Sequence, residues 1–181
     1  MAGQETERVY DELLVTLARS GDRAAANRLA ARWYPRLMRT ALRLVQDRSD
    51  AEEAVQEAWA GICRGWPRLS DPAMFPGWAF GILRRKCVDR IRKSQTERNR
   101  TAPIEAAPEP SQPARGELQV EIDQALAGLS DDHRLAAILY FGEGLSLNEI
   151  AAVTDVPVGT AKSRIFNARQ HLKSRLKGET S

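Results

Sequence analysis

Residues 145–176 read LSLNEIAAVTDVPVGTAKSRIFNARQHLKSRL: two short helical patterns joined by a tight turn, with every charge after the turn positive. A helix-turn-helix whose second helix is basic is the arrangement a reader of the DNA major groove requires. Winding residues 158–176 at about 100° per residue gathers Ala161, Ile165, Ala168, Leu172 and Leu176 into one stripe, the predicted buried seam. Lys162, Phe166, Arg169 and Lys173 fall beside it. Phe166 carries most of the functional weight, because a large apolar side chain among lysines, outside the stripe, has no core to fill but can meet a thymine methyl. The plainer reading of the same stretch is a solvated basic helix on any small helical domain.

The length of 181 residues and the 43% apolar content suit one domain or two small ones. Net charge is only +3, so its distribution matters more than its sum. Residues 117–155 carry eight acids and one base, whereas residues 157–177 carry six bases and no acid. Such segregation implies a partner of regular negative charge for particular faces, not for the whole surface. The start, MAGQETERVYDELL, has acids and lacks the apolar run of a signal peptide or membrane span, so a cytoplasmic location is expected. Cys63 and Cys87 lie on helical patterns as inward-facing positions, with only His133 and His171 elsewhere. Two reduced core thiols are expected, with no metal and no cofactor.

Helical periodicity runs almost from end to end and strand signals are nearly absent, so the class is all-α. A first helix is predicted over residues 11–18, and a second from 23 to about 45 carries Leu29, Trp33, Leu37, Ala41 and Leu44, with a bend at Pro35. Ser49 with Glu52 forms a capping-box pattern that opens a third helix to about Trp66. After the loop PRLSDPAMFPG, a fourth runs from Gly77 to about Lys93. Residues 94–116 hold four prolines and no period, which reads as a flexible linker. Helix returns from Leu118. The expected organisation is two small helical domains, residues 1–93 and 117–181, joined by the tether 94–116.

Two faces in the first domain suggest docking. On the third helix Ala51, Val55, Ala58, Trp59, Ile62 and Trp66 share one side, while Asp50, Glu53 and Glu57 line the other. The helix dipole accounts for acids in a first turn, but Glu57 lies beyond its reach, so the strip is a candidate surface for a basic partner helix. On the fourth helix Phe80, Leu83, Cys87 and Ile91 form the inner face. Trp78, Ile82, Arg85, Lys86, Asp89, Arg92 and Lys93 are expected on the outer one, where an aromatic beside bases suits unstacked nucleobases and phosphates. A core role for Trp78 is the competing reading. A pairing of this basic helix with the acids of residues 117–155 would give a salt-sensitive closed state.

Taken in order, the stretches WYPRLMRTALRLVQDRSDAEEAVQEAW, FPGWAFGILRRKCVDRIRK and LSLNEIAAVTDVPVGTAKSRIFNARQHL resemble the extracytoplasmic-function group of sigma-70 factors, which give bacterial RNA polymerase its promoter specificity. The resemblance implies that Asp50, Glu53, Gln56 and Glu57 dock on the clamp coiled coil of the largest polymerase subunit. It implies that the helix from Gly77, with its preceding loop, melts the minus-ten element. Trp78, Arg84, Arg85, Lys86, Asp89 and Arg92 are its candidate DNA contacts. Lys162, Ser163 and Phe166 would read the minus-thirty-five element, with Arg164 and Arg169 nearby on phosphates; Lys173, by its place on the basic side of the helix, is a further candidate DNA contact. The tether would thread toward the RNA exit path. Core RNA polymerase and promoter DNA are the implied partners, with an anti-sigma factor as a further candidate. No catalytic residue is implied, since phosphodiester chemistry belongs to the polymerase.

Two departures stand out. Arg85 occupies a position where the family commonly has asparagine, while Asp89 is retained; Asp155 replaces the common turn glycine, and aspartate tolerates a left-handed backbone better than most residues. With the sequence ending at Ser181, a large carboxy-terminal sensory domain is not expected. A free-standing helix-turn-helix repressor is the alternative, but it needs neither the acidic helix nor the tether. No phosphate-binding glycine loop, metal cluster or nucleophile–histidine pair supports an enzyme.

Overall fold

Helix boundaries follow from local capping chemistry. In the computed structural model, which describes residues 2–100 and 117–178, α1 spans Ala2–Arg19, longer than the predicted 11–18. Asp22 then caps α2 (Arg23–Val45) by accepting the backbone N–H of Ala24 at 2.8 Å and of Ala25 at 3.0 Å. Pro35 removes one donor from α2 without interrupting it. Gln46 closes the helix in the left-handed region at φ 61°.

The cap of α3 (Arg48–Gly65) is Asp47 and not Ser49, so the predicted capping box does not form. The Asp47 carboxylate accepts the Asp50 N–H at 2.8 Å. A charged acceptor at the positive end of a helix dipole outcompetes a serine two residues on. Glu52 instead pairs with Arg48 at 2.9 Å. Two short 3-10 turns, Trp66–Arg68 and Pro72–Met74, lead into α4 (Phe75–Arg100). Residues 94–100, assigned to the tether on composition, are therefore helical. They contain neither proline nor glycine, and Lys93 reaches Glu97 at 3.9 Å one turn on. The remainder of the tether lies outside the described residues.

The chain divides into two compact units, Met1–Ile91 and Arg92–Ser181. In the first, α1 and α3 pack on α2, and Leu29, Trp33, Leu37, Val55, Ile62, Phe75, Phe80 and Leu83 are sealed from solvent. Trp33 meets Phe75 edge-on at 4.8 Å between ring centroids and Phe80 at 5.6 Å. The Arg36 guanidinium covers the indole at 4.1 Å. A second staple ties α1 to α2: buried Asp11 accepts Arg32 Nε at 2.8 Å and faces Arg36 at 3.7 Å. Burial opposes the charge of Arg32, but the hydrogen bonds it donates to Asp11 and Glu7 outweigh that cost and raise its pKa.

In the second unit α5 (Glu117–Ala127), α6 (Asp131–Ala137) and α7 (Leu147–Thr154) all pack on α8 (Val158–Gly178). A single π turn, Ile138–Gly142, links α6 toward α7. Arg134 donates to the carbonyls of Leu126, Ala127 and Leu129 at 3.0–3.1 Å, which satisfies the end of α5. No strand occurs among the described residues, in keeping with an all-α class.

Trp33 Nε1 is buried without a hydrogen-bond partner, so packing and the Arg36 guanidinium hold the indole, not a hydrogen bond. Trp33→Ala should cost about 3–5 kcal/mol of stability. Trp33→Phe should cost distinctly less, because the unpartnered N–H goes with the lost ring. Urea unfolding of both variants, followed by circular dichroism, checks the order.

Candidate nucleic-acid and docking interfaces

The turn between α7 and α8 is built locally. Ser146 accepts the Glu149 N–H at 3.3 Å while the Glu149 carboxylate accepts the Ser146 N–H at 2.7 Å, a reciprocal capping box that starts α7. Asp155 ends it in the left-handed region, φ 55° and ψ 52°, as the sequence requires of this glycine-like position. The Val156 N–H then reaches the Ala151 carbonyl at 3.1 Å. Pro157 offers its carbonyl to Thr160 and Ala161 at 2.9 and 3.1 Å, launching α8.

The seam of α8 is buried at Ala161, Ile165 and Ala168 and half-buried at Leu172. It stops there, for Leu176, the predicted fifth member, is 42% exposed. The helix has run past the neighbours that bury its earlier turns. Lys162, Ser163, Arg169 and Lys173 are exposed, and Phe166 is 59% exposed, a large cost in apolar surface that packing does not recover. Arg164 differs from them. It is ion-paired with Asp132 at the start of α6, with 19% of its side chain exposed.

In the first unit the acidic and basic strips face each other. Arg90 pairs with Glu53 and lies 3.4 Å from Glu57, and Lys86 Nζ sits 2.9 Å from the Glu57 carboxylate. Arg90 retains only 14% of its side-chain exposure, while Glu53 and Glu57 keep about half of theirs. Helix periodicity does not single out Arg90. The signal was nevertheless present, because acids four apart on α3 match bases four apart on α4. Lys86 and Arg90 thus find partners within their own unit, whereas the expected closed state draws on acids from residues 117–155.

Other members of the expected outer face of α4 are distributed unevenly. Arg85, Asp89, Arg92 and Lys93 are exposed and Arg84 is partly so. Ile82 is buried, contrary to expectation, because the first turns of α4 are enclosed on nearly all sides. Trp78 is half-buried and packed, not a free platform. Its ring lies so near Gly65 that a Cβ there would fall 2.7 Å from Cζ2, and its centroid is 6.1 Å from that of Phe75. The exposed apolar side chain beside this helix is Met74, in the preceding turn. Of the remaining α3 candidates, Asp50 is half-buried at the capped first turn, while the neutral Gln56 is exposed.

The cysteines show no reactive arrangement. Burial pushes the Cys87 thiol up to about 12. It also raises half-buried Cys63, which Arg64 partly offsets. Among the described residues no group of three His, Cys, Asp or Glu side chains is placed to hold a metal ion, and no helix is long and apolar enough to cross a membrane.

Comparison with known proteins places both units in one family. Residues 29–97 match sigma-70 region 2 and residues 119–172 match sigma-70 region 4. Over 171 residues the chain is 32% identical to the ECF RNA polymerase sigma factor SigM of Mycobacterium tuberculosis, covering 94% of this chain and 86% of that protein. It is 28% identical to the ECF RNA polymerase sigma-E factor of Escherichia coli K12, covering 94% and 96%. Among solved structures, the sigma factor RpoE of Bartonella quintana, crystallised with the anti-sigma factor NepR, superposes with a TM-score of 0.68 at 28% identity, over 83% of this chain and 96% of that one.

The ion pairs between α3 and α4 predict a charge-specific effect on stability. Glu53→Lys with Glu57→Lys should destabilise the first unit by about 1 kcal/mol more than the Gln pair, since lysines would face Lys86 and Arg90. The difference should shrink in high salt. Thermal melts of both double variants at two ionic strengths measure it.

Proposed function

This chain belongs to the extracytoplasmic-function group of sigma-70 factors, proteins of transcription initiation, and from that premise we propose how its surfaces divide the work. The acidic strip of α3, with Asp50, Glu53, Gln56 and Glu57, docks core RNA polymerase. The outer side of α4, through Arg84, Arg85, Lys86, Asp89 and Arg92, engages and opens the minus-ten element, with Trp78 shaping its start. On α8, Lys162, Ser163 and Phe166 read the minus-thirty-five element, while Arg169 and Lys173 meet phosphates. Arg164 reaches DNA only after leaving Asp132. The region 2 module ends near Lys93 and the region 4 module begins near Glu117. The protein works in the cytoplasm without a cofactor, and an anti-sigma protein is a fitting regulator, given the complex in which its Bartonella relative was crystallised.

The observation that carries this reading is the pairing of both regional matches, in order, with an exposed Phe166 flanked by exposed lysines on α8. An isolated apolar ring on a basic helix suits a groove that offers both phosphates and methyl groups.

Two measurements test the division. Glu53→Gln with Glu57→Gln preserves shape and adds no like charge, so it should weaken binding to core polymerase while the circular dichroism spectrum stays unchanged. Full affinity in the folded variant removes the docking assignment. On α8, Lys162→Ala should cost about 1–3 kcal/mol and relax one position of the upstream element, whereas Lys173→Ala should weaken all sequences evenly and flatten the salt dependence. Transcription from a randomised promoter library separates the two, and the reverse pattern would show the faces to be rotated.

A further inference from the structure

The most outward line of α8 is not its basic one. The buried seam runs through Ala161, Ile165 and Ala168, and at about 100° per residue the side directly opposite carries Ser163 and Gln170, bordered by Asn167 on one edge and Phe166 on the other. Lys162, Arg169 and Lys173 lie nearer the seam, along one flank. On the other flank Arg164 is tied to Asp132. The face thus has a neutral hydrogen-bonding centre and a positive rim. A helix laid in a major groove needs that division, because its centre looks at base edges while its flanks pass the phosphate walls.

We infer that Asn167 is a base-reading residue of the minus-thirty-five contact and that it selects adenine, with Phe166 against the methyl of a neighbouring thymine. Asn167 is exposed, and among the described residues no hydrogen bond holds its side chain. A carboxamide presents one acceptor and one donor side by side, which match the adenine N6 amino group and N7. Ser163 cannot offer the same donor–acceptor pair: its one O–H donates to the Thr160 carbonyl at 2.9 Å, which leaves its oxygen only to accept from a base. Asn167 follows Ser163 by one turn, about 6 Å along the axis, a separation of roughly two base-pair steps. Gln170 lies on the same face but almost a turn further from the helix start, away from the end that enters a groove first. The proposal rests on α8 being the duplex-reading helix.

The test uses the full chain reconstituted with core polymerase and a promoter library randomised across the upstream element, comparing wild type, Asn167→Ala, Asn167→Arg and Lys162→Ala. Wild type should favour adenine at one position by about 5- to 100-fold over the worst base. Asn167→Ala should flatten that position and leave the others, and the salt dependence should stay unchanged because the lost group is neutral. Asn167→Arg should enrich guanine at the same position, since a guanidinium matches its O6 and N7. The site is exposed and mid-helix, where alanine favours helix, so misfolding does not confound the result. If Asn167→Ala keeps the adenine preference, or Asn167→Arg brings no guanine, the inference is overturned while an effect of Lys162→Ala leaves the reading of α8 standing. If neither Lys162→Ala nor the Asn167 variants alter any position, that reading and the inference fail together.

Discussion

The burial of Trp33 sets the geometry on which the first unit's surfaces depend. Its ring is fully enclosed on α2 and grips Phe75 and Phe80 at the start of α4. The edge-to-face contact with Phe75 fixes direction as well as depth, because offset and T-shaped arrangements are favoured over a face-to-face sandwich. With Phe75, Ala79, Phe80, Leu83 and Cys87 held inward, Arg85, Asp89 and Arg92 have no route except outward. The basic strip of α4 is therefore a consequence of where an aromatic cluster had to go. Arg36, stacked on the indole and facing Asp11, carries the same constraint across to α1.

Electrostatics then connects surfaces that a helix wheel treats as separate. Glu53 and Glu57 on α3 are shared with Arg90 and Lys86 on α4. Any cationic partner that approaches these acids competes with an arginine that is mostly withdrawn from water, so the strip is less negative than its residue list suggests. Asp132 and Arg164 repeat the pattern in the second unit at smaller scale. In both units some basic side chains near the proposed DNA surfaces are occupied and others stand open. The open ones, Arg85, Arg92, Lys162, Arg169 and Lys173, are the groups most readily given to phosphates.

What could be read from the sequence was what is decided within a few residues. The α7–α8 turn was legible because a left-handed aspartate is local chemistry, whereas the equally local Ser146–Glu149 box that starts α7 emerged only with the structure. The second helix and the seam residues Ala161, Ile165 and Ala168 followed from period alone. Near the start of α3, Asp47 and Ser49 both qualify as caps, and only the folded chain shows which one the backbone uses. Ile82 and Trp78 were misplaced for a different reason: the wheel assumes one wet side, and the first turns of α4 have almost none. The α3–α4 ion pairs depend on two helices meeting in register, which no single-helix pattern encodes, although the matched four-residue spacings hinted at it.

The most direct test of the account is to map RNA 5′ ends made by purified core polymerase on supercoiled genomic fragments, with and without the full chain. The account predicts new, discrete start sites only when the chain is present, preceded by a shared pair of elements at fixed spacing. Identical start sites with core polymerase alone would contradict it, as would binding of the chain to duplex DNA without any new start.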